Sequence, residues 1–266
     1  MIVPINNAPH YIGRFAPSPT GPLHFGSLFT ALASFLEARA QQGKWLLRID
    51  DLDTPRNVAG SIAAILKTLE ALGLHWDDQV LYQSAHRQAY QDFLHDLEGK
   101  QLLYRCTCSR KFLSSLESHA DIYPGHCRNT RCNDDIPHAL RIKTEADIIS
   151  FHDQLQGWIS HDIAGQHGDF ILKRKDDIVA YQFAVVIDDH LQQISHVVRG
   201  IDLLESTPKQ IYLQQKLGFT TPDYLHAIYT CRLLSTNKAI NSANKPTPKP
   251  LKLKIRVVFC FIYSRC

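Results

Sequence analysis

The chain has 266 residues, 44% hydrophobic and 21% charged, with 13 Gly and 13 Pro; this is globular composition for one large or two modest domains, and it excludes disordered, collagen-like and secreted disulfide-scaffold classes. No apolar run reaches the roughly 18 residues of a membrane-spanning helix, and Met1-Ile-Val-Pro-Ile-Asn-Asn lacks the charged and apolar regions of a signal peptide, so a soluble, cytoplasmic protein is expected. The formal charge of +3 hides an asymmetry: beyond Asp223 lie eight basic residues and no acidic one, and without them 21 Lys and Arg face 26 Asp and Glu, a balance of −5. Charge therefore gives no global argument for a nucleic-acid partner, and an RNA contact would use a local patch.

Residues 11–100 alternate strand-like and helix-like segments. Tyr11-Ile-Gly-Arg-Phe-Ala reads as a strand ending in the turn Pro17-Ser-Pro-Thr-Gly-Pro22. Leu28, Leu32, Phe35 and Leu36 follow with helical spacing, then Trp45-Leu-Leu-Arg-Ile as a buried strand. Two further helices are predicted around Ile62, Ile65, Leu66, Leu69 and Leu72, and around Tyr90, Phe93, Leu94 and Leu97. Such alternation argues for a parallel, doubly wound α/β sheet. Residues 101–135 hold four of the seven cysteines and look inserted. Residues 136–226 return to mixed α/β, with strand-like runs at Phe170-Ile-Leu-Lys, Phe183-Ala-Val-Val-Ile and His196-Val-Val-Arg.

Between the first strand and helix lies Arg14-Phe-Ala-Pro-Ser-Pro-Thr-Gly-Pro-Leu-His-Phe-Gly-Ser27. Gly21 and Gly26 let backbone approach a ligand closely, and the helix start offers free N–H groups to phosphate. His24 can donate to phosphate oxygens as charge develops there. The whole string resembles the glutamate-specific class I aminoacyl-tRNA synthetases, with His24-Phe-Gly-Ser27 at their "HIGH" signature. Leu47-Arg-Ile-Asp-Asp-Leu-Asp-Thr-Pro-Arg56 resembles their acidic second-strand motif. Tyr181-Gln-Phe-Ala-Val-Val-Ile-Asp-Asp189 and Ile194-Ser-His-Val-Val-Arg-Gly-Ile-Asp-Leu-Leu-Glu-Ser-Thr-Pro208 resemble their later catalytic core. The resemblance runs from about 11 to 226. With no room for a second, anticodon-binding half, it is to the family's short paralogues, which activate glutamate with ATP and pass it to the queuosine base in the anticodon of tRNA-Asp.

This resemblance implies a Rossmann-like catalytic domain with a zinc-binding insertion and a helical C-terminal part. Residues 1–100 would form the first half of the catalytic domain, 101–135 the insertion and 136–226 the second half. ATP, L-glutamate and queuosine-bearing tRNA-Asp are the implied partners of a monomer, with Mg²⁺ accompanying ATP. Glutamate would be held by Arg14, Phe15, Ala16, Pro17, Ser18, Asp50, Tyr181 and Arg199, since carboxylates suit guanidinium forks. Seen singly, either arginine reads as a surface residue. Asp50 stands where the family commonly has Glu; it would face the substrate ammonium, directly or through water, or else be a structural partner of Arg48 or Arg56. His24 is the candidate catalytic residue, and with Gly26 and Ser27 it would bind ATP.

Clustered thiols in a cytosolic chain point to metal more than to disulfides, and thiolates suit a structural zinc. The spacing Cys106-x-Cys108-x14-Tyr123-x3-Cys127 resembles the family's zinc site, Tyr123 being the fourth ligand by resemblance alone; His119, His126, Cys132 and water are alternatives. The family also carries a Lys-Leu-Ser-Lys-Gln-type loop whose second lysine stabilises the ATP phosphates. In that neighbourhood the chain has Leu233-Leu-Ser-Thr-Asn-Lys-Ala-Ile-Asn241, with Lys238 the only nearby lysine and no good match to the loop. The change of character after His226 suggests that residues 227–266 are an aberrant, frameshifted basic tail. Two rival functions follow: charging of a tRNA 3′ end through a separate anticodon module, or a catalytically impaired glutamate-binding product.

Overall fold

The computed structural model describes residues 11–115, 122–130, 132 and 135–228. Strand β1 (Ile12–Phe15) runs through helix α1 (Phe25–Ala40) into strand β2 (Lys44–Ile49), parallel to it with Ile12 opposite Lys44 and Phe15 opposite Leu47. From Trp45 onward β2 is buried throughout, as expected of a parallel strand covered on both faces. Helix α2 (Ser61–Ala71) then leads to β3 (Asp77–Tyr82), parallel to β2. The period of two divides β2 between two cores. Trp45, Leu47 and Ile49 pack with Ala31, Ala38, Ile65 and Leu69 from α1 and α2, whereas Leu46 packs in the core on the opposite face.

That second core is built by α3 (Arg87–Gly99) and two later helices. Between them comes a small antiparallel sheet of β4 (Leu103–Cys106), β5 (Ala139–Ile142) and β8 (Ile171–Lys173), in the order β4-β5-β8. The short helix α4 (Arg110–Ser114) and the cysteine segment lie between β4 and β5. Next along the chain are the hairpin β6 (Ile148–Asp153) and β7 (Gly157–Asp162), the turn of helix α5 (Ile163–Gln166), and β8 itself (Ile171–Lys173). Helix α6 (Tyr181–Leu191), strand β9 (His196–Gly200), helix α7 (Thr207–Leu217) and strand β10 (Asp223–Ala227) follow. They complete a sheet of order β7-β6-β10-β9, in which β9, β10 and β6 are parallel.

The β1-β2-β3 sheet and this mixed sheet meet at β1 and β9. Ser195 N donates to Ile12 O at 2.9 Å, Ile12 N donates to Ser195 Oγ at 2.8 Å, and Tyr11 stacks on His196 with ring centroids 4.1 Å apart. From β1 the chain winds outward through β2 and β3 on one side, with β9 and β10 on the other. This is the topological switch point at which doubly wound sheets open a ligand crevice beyond the strand carboxyl ends.

One expectation is corrected. Phe183–Ile187 lies inside α6, and residues 183–189 are all buried. A helix covered on every face is apolar all round, so a five-residue run carries no period to separate it from a strand. The helical C-terminal part and the tail beyond residue 228 lie outside the described residues. No helix among the described residues is long and apolar enough to cross a membrane.

Candidate active site

Arg14 and Arg199 stand one residue before the ends of β1 and β9, strands that begin side by side. Both are buried. Arg199 is held in a polar cage: Nε donates to His226 Nε2 at 3.0 Å, Nη1 to Gln210 Oε1 at 2.8 Å and Nη2 to Thr207 Oγ1 at 2.8 Å. Because His226 Nε2 accepts, its proton sits on Nδ1, which donates to the buried Asp153 Oδ2 at 2.7 Å. Burial pushes the His226 pKa down; Asp153 opposes this, while the guanidinium charges of Arg199 and Arg14 reinforce it. Burial raises the Tyr224 pKa and the same two guanidinium charges oppose that rise; its ring lies 5.4 Å from the Arg199 guanidinium carbon. The two arginines thus bear on one small region at the β1–β9 junction.

Arg14 is fixed from behind by Asp189, with Nε 3.2 Å from Oδ1 and Nη2 3.2 Å from Oδ2. Asp189 also accepts from Arg48 Nη1 at 2.6 Å, and Arg48 Nε donates to Asp50 Oδ1 at 2.8 Å. Beside them lies Asp188, which accepts from Gln83 Nε2 at 2.7 Å and Tyr90 Oη at 2.8 Å and lies 3.1 Å from His86 Nδ1. Two guanidinium groups therefore face three carboxylates. Burial raises the Asp50 pKa to about 6; the adjoining Arg48 opposes this and the Asp188 charge adds to it. Arg48 Nη2, also buried, finds no partner among the described residues. A buried cluster with one surplus negative charge is suited to an organic cation such as an ammonium group.

The loop after β1 is tied to this cluster. Pro17 O accepts from Asp50 N at 3.0 Å, Pro19 O accepts from Val58 N at 2.9 Å, and Gly21 takes φ +141°, a conformation that favours glycine. His24 is the exposed N-cap of α1; its Nδ1 accepts from Ser27 N at 3.3 Å, while Gly26 is buried and Ser27 half-buried. Arg14, Pro17 and Asp50 are brought together, Arg199 stands beside the same strand junction, and His24, Gly26 and Ser27 open the adjoining helix. Ala16 is half-buried and Ser18 exposed in the connecting loop. Phe15 is turned away: its ring is buried in the α1–α2 core, 6.3 Å from the Trp45 ring, so only its backbone faces the loop. Tyr181, 40% exposed, begins α6 next to Gln182, which bridges Ser206 Oγ and Gln210 Nε2. Arg56 pairs with Asp53 at 2.6 Å, so the structural partner of Asp50 is Arg48.

Sequence reading gave Arg48 only as a structural partner of Asp50 and assigned no part in the site to Gln83, Tyr90, Asp188 or Asp189. The available signal was Asp188-Asp189, two acids on a helix otherwise buried all round, which must have cationic or donor partners.

In the insertion, the sulfurs of Cys106, Cys108 and Cys127 lie within 4.8 Å of one another. Tyr123 Oη stands 3.4 Å from Cys106 Sγ and 3.6 Å from Cys108 Sγ, and accepts from Cys127 N at 2.8 Å. The Arg141 guanidinium covers the Tyr123 ring at 3.7 Å. Burial would raise the Cys127 thiol, but hydrogen bonding from Tyr123 and neighbouring groups brings it down to about 7. Three soft donors and one oxygen so grouped have the chemistry of a four-coordinate zinc site. Of the alternatives, Cys132 Sγ donates to Arg105 O at 3.2 Å, His126 packs on Phe112, and His119 lies outside the described residues.

The sequence profile described as tRNA synthetases class I (E and Q), catalytic domain, matches residues 12–240. The chain belongs to this family of class I synthetases. It is 50% identical over 216 residues to the glutamyl-Q tRNA(Asp) synthetase of Pseudomonas putida, covering 81% of this chain and 71% of that protein. Proteins of the same name from Dechloromonas aromatica and Salmonella typhi are 50% and 49% identical, with 74% and 72% of their lengths covered. Among solved structures, a glutamate tRNA ligase from Elizabethkingia meningosepticum, in complex with its amino acid, superposes with a TM-score of 0.73 at 29% identity over 81% of this chain. The chain spans about half, 49%, of that ligase.

Proposed function

We propose that the protein activates L-glutamate with ATP and transfers it to the queuosine base of tRNA-Asp. Arg14 and Arg199 are the carboxylate-binding forks and Asp50 receives the ammonium, aided by the loop Phe15–Ser18 and by Tyr181. The observation that carries the reading is the pairing of these two caged arginines with a carboxylate-rich pocket at the sheet's switch point. A dicarboxylic amino acid presents the complementary charges.

In activation, an oxygen of the substrate α-carboxylate attacks the α-phosphorus of ATP. The bond to the β-phosphate oxygen breaks, giving glutamyl-adenylate and pyrophosphate. The chain's contribution is alignment and charge stabilisation. Asp189 holds Arg14, and His226, Gln210 and Thr207 hold Arg199, so each fork is fixed in place. His24 is held by Ser27 N at the start of α1, beside backbone N–H groups suited to phosphate. Mg²⁺ carried with ATP supplies further neutralisation of the phosphates. A queuosine hydroxyl then attacks the glutamyl carbonyl, and AMP leaves. Cys106, Cys108, Tyr123 and Cys127 would hold a structural zinc, whose contribution is to the fold of the insertion.

Glutamate-dependent exchange of pyrophosphate into ATP, in the absence of tRNA, tests activation. Transfer is tested with tRNA-Asp bearing queuosine against the same tRNA lacking it. Label appearing at the 3′ end instead, or exchange that ignores glutamate, defeats the reading. A second reading, an activation-impaired glutamate binder, is favoured by Leu234-Ser-Thr236, where a family lysine would follow the serine.

A further inference from the structure

Away from this pocket, two histidines are folded face to face. His161 lies near the end of β7 and His167 directly after α5. The turn between them is locked by Asp162, whose Oδ1 accepts from Gly165 N at 3.1 Å, and by Gln166, whose Oε1 accepts from Asp162 N at 2.9 Å. It stacks the imidazoles nearly parallel, with centroids 5.2 Å apart and an interplanar angle of 12°, and sets His161 Nδ1 3.1 Å from His167 Nε2. Glu205, in the 3-10 turn Ile201–Ser206 from another part of the chain, places Oε2 3.9 Å from His161 Nδ1. The His161 side chain is 13% exposed and that of Glu205 75%, so the group is open to solvent on its carboxylate side.

We propose that His161 Nδ1, His167 Nε2 and the Glu205 carboxylate bind one divalent transition-metal ion, zinc foremost, at a site separate from the cysteine cluster. All three ligand atoms lie within 4.8 Å of one another. With bonds of about 2.0–2.1 Å, two nitrogens 3.1 Å apart subtend roughly 100° at a common ion, an angle that a four-coordinate zinc accepts with water in the fourth position. Imidazole nitrogens select zinc, nickel or copper over magnesium and calcium, which want oxygen. Glu205 immediately precedes Ser206 and Thr207, which contact Gln182 and Arg199. The ion therefore fastens the turn that supports one fork of the pocket to the β6–β7 hairpin.

The test is a zinc titration of the whole chain, with calorimetry for stoichiometry and NMR of the histidine rings for location. Beyond the zinc taken up by the cysteine cluster, one further equivalent should move the ring signals of His161 and His167, and Cys108→Ser should leave that equivalent intact. His167→Gln should abolish it. Glu205→Gln, a change at an exposed carboxylate that leaves the fold undisturbed, should weaken it at least about tenfold. Ring signals that ignore zinc, or an affinity unchanged in both variants, would show that the two imidazoles merely share a hydrogen bond.

Discussion

Asp50 is the residue at which the pocket's charge imbalance is concentrated. Its folded pKa, raised to about 6, lies above the value of an unfolded aspartate. Between about pH 4 and 6 the native state therefore binds a proton that the unfolded chain has released. The stability this supplies is present in acid and lost as pH rises through 6, an effect of order 3 kcal/mol for a two-unit shift. In urea unfolding, the stability difference between the native chain and Asp50→Asn should shift in favour of the native chain on going from pH 7 to 4.5. The same logic gives a ligand test: an ammonium docking beside Asp50 draws it into its ionised form. Glutamate binding near pH 6 should then release a proton, measured as a buffer-dependent heat in calorimetry, and Asp50→Asn should remove that dependence. Asp189 is the opposite case. Burial works against its charge, but Arg14 and Arg48 hold its pKa below the usual range. Asp189→Asn leaves two buried guanidinium groups short of a counter-charge, and a loss of about 3–5 kcal/mol is expected in unfolding experiments at pH 7.

At the scale of elements, the cysteine insertion depends on one glycine outside it. Gly168 has φ +61°, and a Cβ there would lie 2.9 Å from Ile122 Cγ2 and 3.0 Å from Tyr123 O. Gly168→Ala should destabilise the region by about 1–3 kcal/mol and lower metal affinity by shifting Tyr123, read by competition with a chromogenic zinc chelator. In hydrogen exchange, removing bound metal should expose amides of residues 104–108 and 122–130 while β2 and β9 stay protected. Legibility also differed by element. Strands β1, β2 and β9 and helices α1, α2 and α3 were readable because each shows a clear period or a compact apolar run. The β6–β7 hairpin was not: its turn, Gln154-Leu-Gln-Gly157, lacks the usual turn dipeptides, and Ile148 and Trp158 lie on its open face. β3 carries Asp77 and Asp78 at an edge and also escaped notice. Within the candidate site, Arg14 and Arg199 were singled out by motif. The Asp189 contacts to Arg14 and Arg48 span 175 and 141 positions, so no local pattern could announce them.

For the whole molecule, binding and activation are separable demands on different parts of the chain. The arginine forks and Asp50 lie within residues 11–228, whereas the phosphate-stabilising lysine expected by resemblance belongs to residues 233–241. The family match continues to residue 240. Setting Leu234-Ser235 on the Leu-Ser of the lysine signature puts Thr236 at its second lysine. A neutral hydroxyl there leaves developing charge on the phosphates less well stabilised, and losing one such contact in a closed site lowers kcat by roughly 100- to 1000-fold. The contacts proposed for glutamate do not include it. Thr236→Lys should therefore raise glutamate-dependent pyrophosphate exchange by about two orders of magnitude while the calorimetric Kd for glutamate stays the same. An exchange rate that does not respond would mean either that the chain already activates glutamate efficiently or that the register after His226 is different. Exchange by the unmodified chain, measured alongside, separates these two outcomes.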